Sequence, residues 1–409
     1  MDVLKFVFLI FLGTFCLGEV IKFDLGNNIS IKPVDIAAVI LLLTWVTESF
    51  KNFIKNTRSE RLFFPMLWVV VVMCISLAIN FKNFSGNEIL VGLSYIARWS
   101  LYGSLFFVVK SFSSEFKKKV IYLLLITGAL LTFFGFIQYF FYSNLRNLYY
   151  LGWDEHMHRM FSVFLDPNFA GAFFVLYLLF LLSFLSYLFR NNKIGEVWLI
   201  SVVSIFSLIS VFLTHSRSAL IMLFISIVIF SVLTKKWYWV FGFILISLVF
   251  IFISSKSFNV ENINLFRIAS AEARLDSAKI AIQIIRENPV FGVGFNTYRY
   301  VQVKYGFRNP INSSISHADA GTDNSFLFVL ATMGIVGMIF YLNLLWNILK
   351  KSYSSYKLSK ENNVQKYILI TIISSVGGLV INSLFINSLF YSFIMIWIWV
   401  LLGLISKSD

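Results

Sequence analysis

PNFAGAFFVLYLLFLLSFLSYLF, residues 167–189, is a run that contains no Asp, Glu, Lys, Arg or His. About 20 consecutive apolar residues are enough for a helix to cross the hydrocarbon core of a bilayer. The proline that opens the run fits the first position of a helix, and Asp166 before it is suited to cap that helix. The run therefore predicts a membrane-spanning helix that begins at Pro167.

The rest of the chain repeats this pattern. Of its 409 residues, 58% are hydrophobic and 13% are charged, and the mean hydropathy is +0.81. Soluble domains carry roughly 25% charged residues, so the composition excludes a soluble globular protein. We predict an all-α polytopic membrane protein of about twelve transmembrane helices. The predicted spans lie near residues 3–20, 33–50, 62–79, 89–109, 119–142, 167–189, 195–213, 217–234, 237–254, 324–349, 367–386 and 388–405.

The basic residues indicate an orientation. The net charge of +14 could suggest a nucleic-acid partner, but such binders need a water-facing basic surface. Here the positive charges sit in short linkers between apolar runs. Cytoplasmic loops carry an excess of Lys and Arg, so we predict that both termini are cytoplasmic. On that assignment the inside linkers hold Lys51, Lys55, Arg58 and Arg61; Lys110, Lys117, Lys118 and Lys119; Arg190 and Lys193; Lys235 and Lys236; and Lys350, Lys351, Lys357, Lys360 and Lys366.

The beginning of the chain is predicted to be a retained first span. The run Val3 to Gly18 has no small-x-small cleavage pattern, and Phe15 before Cys16 argues against a lipoprotein site. Cys16 and Cys74 have neither metal-ligand nor disulfide-framework spacing, so we expect both to be inert.

Two polar segments interrupt the apolar pattern, and both fall outside under this topology. The smaller is Ser143 to Asp166, and the larger is Ser255 to Asp323. The larger one divides the chain into spans one to nine (1–254), a large extracytoplasmic loop (255–323) and spans ten to twelve (324–409). Within the loop, Ala269 to Arg286 has helical apolar spacing and predicts an amphipathic helix near the membrane interface. The loop contains Arg267, Arg274, Arg286, Arg299 and Arg308, which run against the orientation rule and need another explanation.

Three predicted helices begin on the outer side. The first begins at Pro167. The second is span eight, for which a hydroxyl residue within 214–219 is the expected cap. The third is span ten, which Asp323 or Thr322 could cap. Free N–H groups make a helix start a site for anions.

Arginines near these helix starts predict a site for a diphosphate. Arg159, Arg217 and Arg274 would add bidentate donors that suit phosphate oxygens. The alternative is that these side chains extend to lipid headgroups. Arg98 is separate, because it lies near the middle of an apolar run, where a charge is costly unless it faces a polar interior. It could bind a lipid phosphate, or pair with a buried carbonyl or acid.

Other polar residues suggest a base rather than a metal. His156 and His158 lie beside Asp154 and Glu155, but no second cluster at a recognised metal spacing accompanies them, so no metal site is predicted. Glycosyl transfer that inverts the anomeric centre needs a base for the acceptor hydroxyl and stabilisation of the departing phosphate. Asp323 fits the base role by position.

Four segments in order resemble successive motifs of the O-antigen ligase and polymerase superfamily. They span about residues 155–345. The motifs are Arg159 with Phe164-Leu-Asp-Pro-Asn-Phe-Ala-Gly171, then Ser216-Arg-Ser-Ala219, then Arg274 with Asn288-Pro-Val-Phe-Gly-Val-Gly-Phe295, and finally Asp323-Asn-Ser-Phe-Leu327 with Met333-Gly-Ile-Val-Gly337.

The resemblance implies a polytopic, GT-C-like glycosyltransferase fold and a reaction. Such an enzyme takes a glycan from undecaprenyl diphosphate at the outer face of the inner or plasma membrane and transfers it to an acceptor glycan. It needs no nucleotide sugar, no cofactor and no obligatory metal, and no nucleic acid is expected as a partner. The resemblance implies that Arg217, Arg274 and Arg159 would hold the donor diphosphate.

One departure from the family bears on the mechanism. Ligases of this family usually have His-Asn at the start of the span after the large loop, where this chain has Asp323-Asn324. The base is then Asp323, or His317 supplies it, and the Asp-Asn pair looks closer to polysaccharide polymerases. We predict a surface-polysaccharide polymerase. The alternatives are transfer to lipid A core, protein or wall glycan, and a non-enzymatic lipid-carrier transporter, although transporters often show inverted repeats that are not apparent here.

Overall fold

Helices occupy the twelve places at which the sequence predicts spans. A computed structural model describes residues 3–26, 29–49, 57–58, 60–143, 156–254, 269–308 and 321–405. In the described residues the helices are α1 (Val3–Phe15), α2 (Pro33–Ser49), α3 (Phe63–Ile79), α4 (Gly86–Ser111), α5 (Ser114–Phe141), α6 (Pro167–Arg190), α7 (Ile194–Leu213), α8 (Arg217–Thr234), α9 (Tyr238–Ser254), α10 (Ala269–Glu287), α11 (Tyr298–Lys304), α12 (Ser325–Leu358), α13 (Val364–Asn382) and α14 (Ser392–Gly403).

The length and composition of these helices show an integral membrane protein. Within the described ranges, seven helices are long and apolar enough to cross a membrane, namely α4 to α8, α12 and α13. Helices α1, α3, α9 and α14 are apolar but shorter. The polytopic all-α class is therefore confirmed, and the crossing of all twelve stays a prediction. The predicted amphipathic helix is also present, as α10.

Helix α6 lies at the centre of the bundle, packed chiefly against α7, α8 and α13. In its most apolar stretch of 18 residues, 89% of the residues are buried, compared with 33% in the corresponding stretch of α7. A helix that is apolar on every side can be buried all round, and this one is. Its start confirms the predicted cap, because one Asp166 carboxylate oxygen accepts hydrogen bonds from the N–H groups of Asn168 (2.6 Å) and Phe169 (3.2 Å).

Helix α12 is broken at Gly334, whose backbone angles are φ 63° and ψ −165°. In an unbroken helix the N–H groups of Ile335 and Val336 would bond the carbonyls of Ala331 and Thr332. Here all four groups bond to a segment of the loop instead. A kink of this kind survives in an apolar bundle only when other groups take up the freed backbone positions.

Residues 289–294 are the segment that fills the break. The N–H groups of Ile335 and Val336 donate to the carbonyls of Pro289 and Val290 at 2.9 and 3.2 Å. The N–H groups of residues 293 and 294 donate to the carbonyls of residues 331 and 332 at 2.9 and 3.2 Å. Ser76 of α3 contacts both this segment and α12, since its hydroxyl lies within hydrogen-bond distance of the carbonyls of Phe291 and Thr332. The segment after α10 is thus fixed to the membrane bundle.

We expect Gly334→Ala to detach this segment and destabilise the protein. The backbone at Gly334 lies in a region open almost only to glycine, where another residue costs roughly 1–3 kcal/mol. An added Cβ would also lie 2.2 Å from the Val290 carbonyl oxygen. The melting temperature of the purified protein should fall clearly. Gly242→Ala in α9 is the control, because a Cβ there meets nothing within 4 Å; equal melting temperatures for the two variants would contradict the expectation.

Candidate functional site

Charged side chains near the starts of four helices interact electrostatically at one end of the bundle, which we call the loop side because α10, α11 and Asp323 lie there. Arg217 is the first residue of α8, Arg274 lies near the start of α10, and Asp323 precedes α12 by two residues. Arg274 interacts electrostatically with Arg217, Asp323 and Asp166. These four residues form the charged cluster. The structure thus brings together three of the residues that the sequence singles out.

Arg274 is in an environment that opposes its charge. Its pKa is lowered, first because the guanidinium is largely buried and second because Arg217 repels it, while Asp323 and Asp166 act in the opposite direction. The two carboxylates of the cluster offset the two guanidinium groups, and the Asp323 charge acts on Arg274 more strongly than the Arg217 charge does. The cluster therefore combines planar donors that suit phosphate oxygens with carboxylates that can accept a proton.

Asp323 is not the cap of α12, and the predicted cap is wrong in this respect. Asn324 caps the helix, with its side-chain oxygen accepting from the N–H groups of Phe326 (2.8 Å) and Leu327 (3.0 Å). Thr322 instead hydrogen-bonds the backbone of Asn324. Asp and Asn are equally good caps, so the sequence could not choose between neighbours. The Asp323 carboxylate is consequently not engaged with the helix end.

The surroundings of Asp323 make it a stronger base than an exposed aspartate. Burial raises its pKa, the Asp166 carboxylate raises it further, and Arg274 acts against both. A raised pKa means that the carboxylate holds a proton more strongly, which is the property a general base needs. Tyr298 of α11 lies nearby, since burial and the Asp323 charge both raise the pKa of its hydroxyl.

Arg159 holds the starts of α6 and α8 together. Its side chain is 3% exposed. Its Nε donates to the Thr214 carbonyl at 2.8 Å, and an Nη donates to Asn168 Oδ1 at 3.3 Å. Asn168 Oδ1 also accepts from the Ser216 hydroxyl at 3.1 Å. Arg159 is thus a positioning residue here, and a direct role in holding the donor stays a prediction.

The start of α8 carries the expected hydroxyl cap. Ser216 is the cap, with its Oγ 3.4 Å from the N–H of Ala219 and 3.1 Å from the hydroxyl of Ser218. His215 before it is buried and has a positive φ of 48°, so the chain turns sharply there. This turn places Arg217 at the mouth of the helix, beside Arg274.

Arg98 pairs with a buried acid and a backbone carbonyl. One Nη lies 3.1 Å from the Asp35 carboxylate and also donates to the carbonyl of Ser30. Ser30 belongs to a short antiparallel hairpin, β1 (Phe23–Asp24) and β2 (Ser30–Ile31). Arg98 is the thirteenth of the 26 residues of α4, so it lies half-way along that helix. Of the two interpretations from the sequence, the structure shows the pairing with an acid and a carbonyl.

The histidines do not assemble a metal centre in the part of the chain that the structure describes. There, no group of three or more His, Cys, Asp or Glu is arranged to hold a metal. His156 Nε2 lies 4.0 Å from the Asp166 carboxylate. Asp154, Glu155 and the alternative base His317 lie outside the described residues.

Two contributors to the site were not identified from the sequence. Asp166 was assigned only as a helix cap, yet its charge also acts on Asp323 and Arg274. Asn168 links Arg159 to Ser216. The motif around Pro167 could have indicated both residues, because Asp166 and Asn168 are polar side chains next to an apolar stretch and a membrane span does not require them.

Comparison with known proteins finds a family that is similar to one part of this chain. Residues 202–342 match the family model described as O-antigen ligase. The match includes Arg217, Arg274 and Asp323, while Arg98 and Arg159 precede it. It confirms the resemblance to the O-antigen ligase and polymerase superfamily. None of the curated proteins matches the chain.

Proposed function

We propose that this membrane protein of the O-antigen ligase and polymerase superfamily transfers a glycan from a polyprenyl diphosphate, of the undecaprenyl type, to a sugar hydroxyl. The bond between the anomeric carbon and the donor phosphate oxygen breaks. The acceptor hydroxyl oxygen bonds to that carbon, its proton passes to a base, and the polyprenyl diphosphate leaves with the bonding electrons. The charged cluster is the observation that supports this proposal.

Arg217 and Arg274 are assigned to the donor diphosphate. Negative charge grows on the leaving phosphate as the bond breaks, and fixed positive groups that face it lower the energy of the transition state. Arginine suits this task because its planar donors match phosphate oxygens in pairs. The mutual repulsion of the two side chains is relieved when the diphosphate lies between them. The N-terminus of α8, at Arg217, adds favourable dipoles.

Asp323 is assigned as the base that receives the acceptor proton. It shares the cluster with Arg274, so a hydroxyl activated by Asp323 would lie close to the anomeric carbon of a diphosphate held there. His317 stays the alternative base. Asp166 tunes Asp323 by charge and is not required to touch the substrate.

The loop side is assigned to the outer face of the inner or plasma membrane, with both termini cytoplasmic. This orientation rests on the basic linkers at the other ends of the helices. It also gives the loop arginines a role, because a lipid-linked diphosphate presented at the outer face would lie against them.

We favour a polymerase, which joins repeat units, over a ligase that transfers to lipid A core, protein or wall glycan. The Asp323-Asn324 pair in place of His-Asn is the feature that favours it. A lipid-carrier transporter is the second alternative, and the position of the charged cluster at one end of the bundle rather than the midplane counts against it.

The test is turnover by the purified protein in detergent. We expect a synthetic polyprenyl diphosphate oligosaccharide to give products with two or more repeat units on one carrier, together with free polyprenyl diphosphate. Mass spectrometry of the reducing end identifies the acceptor, so a ligase would convert the donor only after a different acceptor is added. Absence of any conversion with either acceptor would refute the enzyme and leave the transporter.

A further inference from the structure

A cavity of about 130 Å³ lies between α4, the segment that follows residue 294 and the segment that leads into α14. A single water needs only about 10–15 Å³ measured in this way, so the space is far larger than a water site. Its walls include the aromatic rings of Trp99, Phe295 and Phe390. Pockets for small organic groups are typically apolar and aromatic, with a few polar groups that fix orientation.

Asn387 contributes one of the polar side chains that line this cavity. A side-chain amide carries an acceptor oxygen and two N–H donors, so it can hydrogen-bond a hydroxyl group in either direction.

Arg98 supplies donors to the same space. Its hydrogen bonds to Ser30 and Asp35 both come from one Nη. A guanidinium has five N–H donors in total, so the other nitrogens can serve a ligand in the cavity. Donors from Arg98 and the side-chain amide of Asn387 together match a group of hydroxyls, each of which both donates and accepts.

The chain connects this cavity directly to the proposed base. Gly321 lines the cavity and is two residues from Asp323. A Cβ on Gly321 would lie 3.3 Å from Asn387 Nδ2, so the amide packs against this segment. A ring in the cavity would therefore lie against the segment that leads to Asp323.

We propose that this cavity binds a sugar ring of the acceptor glycan, with its faces against the aromatic walls and its hydroxyls on Asn387 and Arg98. The inference rests on the proposed function, since it names the place of the acceptor in that reaction. The choice of a sugar over a lipid tail follows from the buried polar groups, which an acyl chain would leave unsatisfied.

Direct binding tests the inference without requiring turnover. The probe is the carrier-free oligosaccharide obtained by hydrolysing the diphosphate linkage of the synthetic donor, added to the purified protein and followed by calorimetry. Asn387→Ala is expected to weaken its binding by about tenfold, because a sugar hydroxyl loses a buried partner. Asn387→Leu, which keeps the side-chain shape, should do the same and guards against misfolding of the alanine variant.

Asn382→Ala is the matched control. Asn382 is a buried asparagine at the end of α13, and it does not line the cavity. It should bind the oligosaccharide like the parent protein. Equal affinity of the parent and both Asn387 variants would overturn the inference, as would displacement of the probe by phosphatidylglycerol, which would assign Arg98 to a lipid phosphate.

The two proposals fail in different ways. A protein that binds the oligosaccharide through Asn387 yet never breaks the diphosphate linkage would support the cavity and refute the transferase. An active transferase whose KM for the acceptor is the same in the parent and in Asn387→Leu would refute the cavity and support the transferase.

Discussion

Arg217→Ala and Arg274→Ala are each expected to lower the transfer rate by roughly 10²–10³, the effect of removing one group that stabilises developing negative charge. Polymer growth in cells should then stop, while both variants remain in the membrane at the parental level. The measurement is the rate of release of free polyprenyl diphosphate by the purified variants. Because both side chains are assigned to the same diphosphate, we expect the double variant to lose less than the product of the two single effects.

Lysine substitutions separate charge from geometry at these positions. Lysine keeps the positive charge but is a point donor, whereas arginine can bind two phosphate oxygens at once. Arg217→Lys and Arg274→Lys should therefore retain part of the activity that alanine removes. The KM for the donor is measured at a fixed acceptor concentration. A shift in this KM would show that the arginine contacts the donor in the ground state as well as in the transition state.

The control for this series lies on the same helix as Arg274. Arg286, in the last turn of α10, is exposed. Arg286→Ala removes an equal charge from the same helix outside the charged cluster and should leave the rate unchanged. Parental rates for Arg217→Ala and Arg274→Ala, or an equal loss for Arg286→Ala, would contradict the assignment of the donor site.

The positions of the apolar helices could be predicted because a membrane span is a local property of the sequence. A run of about 20 apolar residues is sufficient to identify one, and no long-range contact is needed. The ends of the helices could not be predicted as closely as their positions. Helix α4 starts at Gly86 and α12 continues to Leu358, both beyond the apolar runs, because polar residues can prolong a helix outside the hydrocarbon core.

The break in α12 could not be predicted, since its cause lies elsewhere in the chain. Gly334 is surrounded by apolar residues that would otherwise form one straight span. The break exists because residues 289–294 supply replacement hydrogen bonds. The glycines of that segment were noted in the sequence as part of a motif, but nothing local shows that their backbone pairs with another helix.

The site was predicted in its residue types more than in its connections. Positive side chains at helix starts were sufficient to single out Arg217 and Arg274, whose charges act on each other in the structure. Their role as a pair for an anion stays a prediction. The sequence could not show that Arg159 hydrogen-bonds Thr214 and Asn168, because these contacts join separate segments of the chain. It also could not show that Asn324 rather than Asp323 caps α12, because the two residues are adjacent and equally suited to the cap.

Asp323→Asn is expected to lower kcat by roughly 10²–10⁴, the usual contribution of a general base. Asparagine has nearly the same shape but cannot accept the acceptor proton. Donor binding should persist in this variant, because Arg217 and Arg274 are unchanged, and calorimetry with the lipid-linked donor would measure it. Parental activity in Asp323→Asn would exclude Asp323 as the base and leave His317 as the alternative.

The pH dependence of transfer offers an independent test of the same carboxylate. Burial and the Asp166 charge raise the pKa of Asp323, so the base is lost by protonation as the pH falls through that raised value. The acid limb of the kcat profile should therefore lie above the pKa of an exposed aspartate, which is about 3.9. Asp166→Asn removes the repulsion but keeps a good cap for α6, so the limb should move to lower pH with little change in stability. An unchanged limb would contradict the assignment of the titrating group to Asp323.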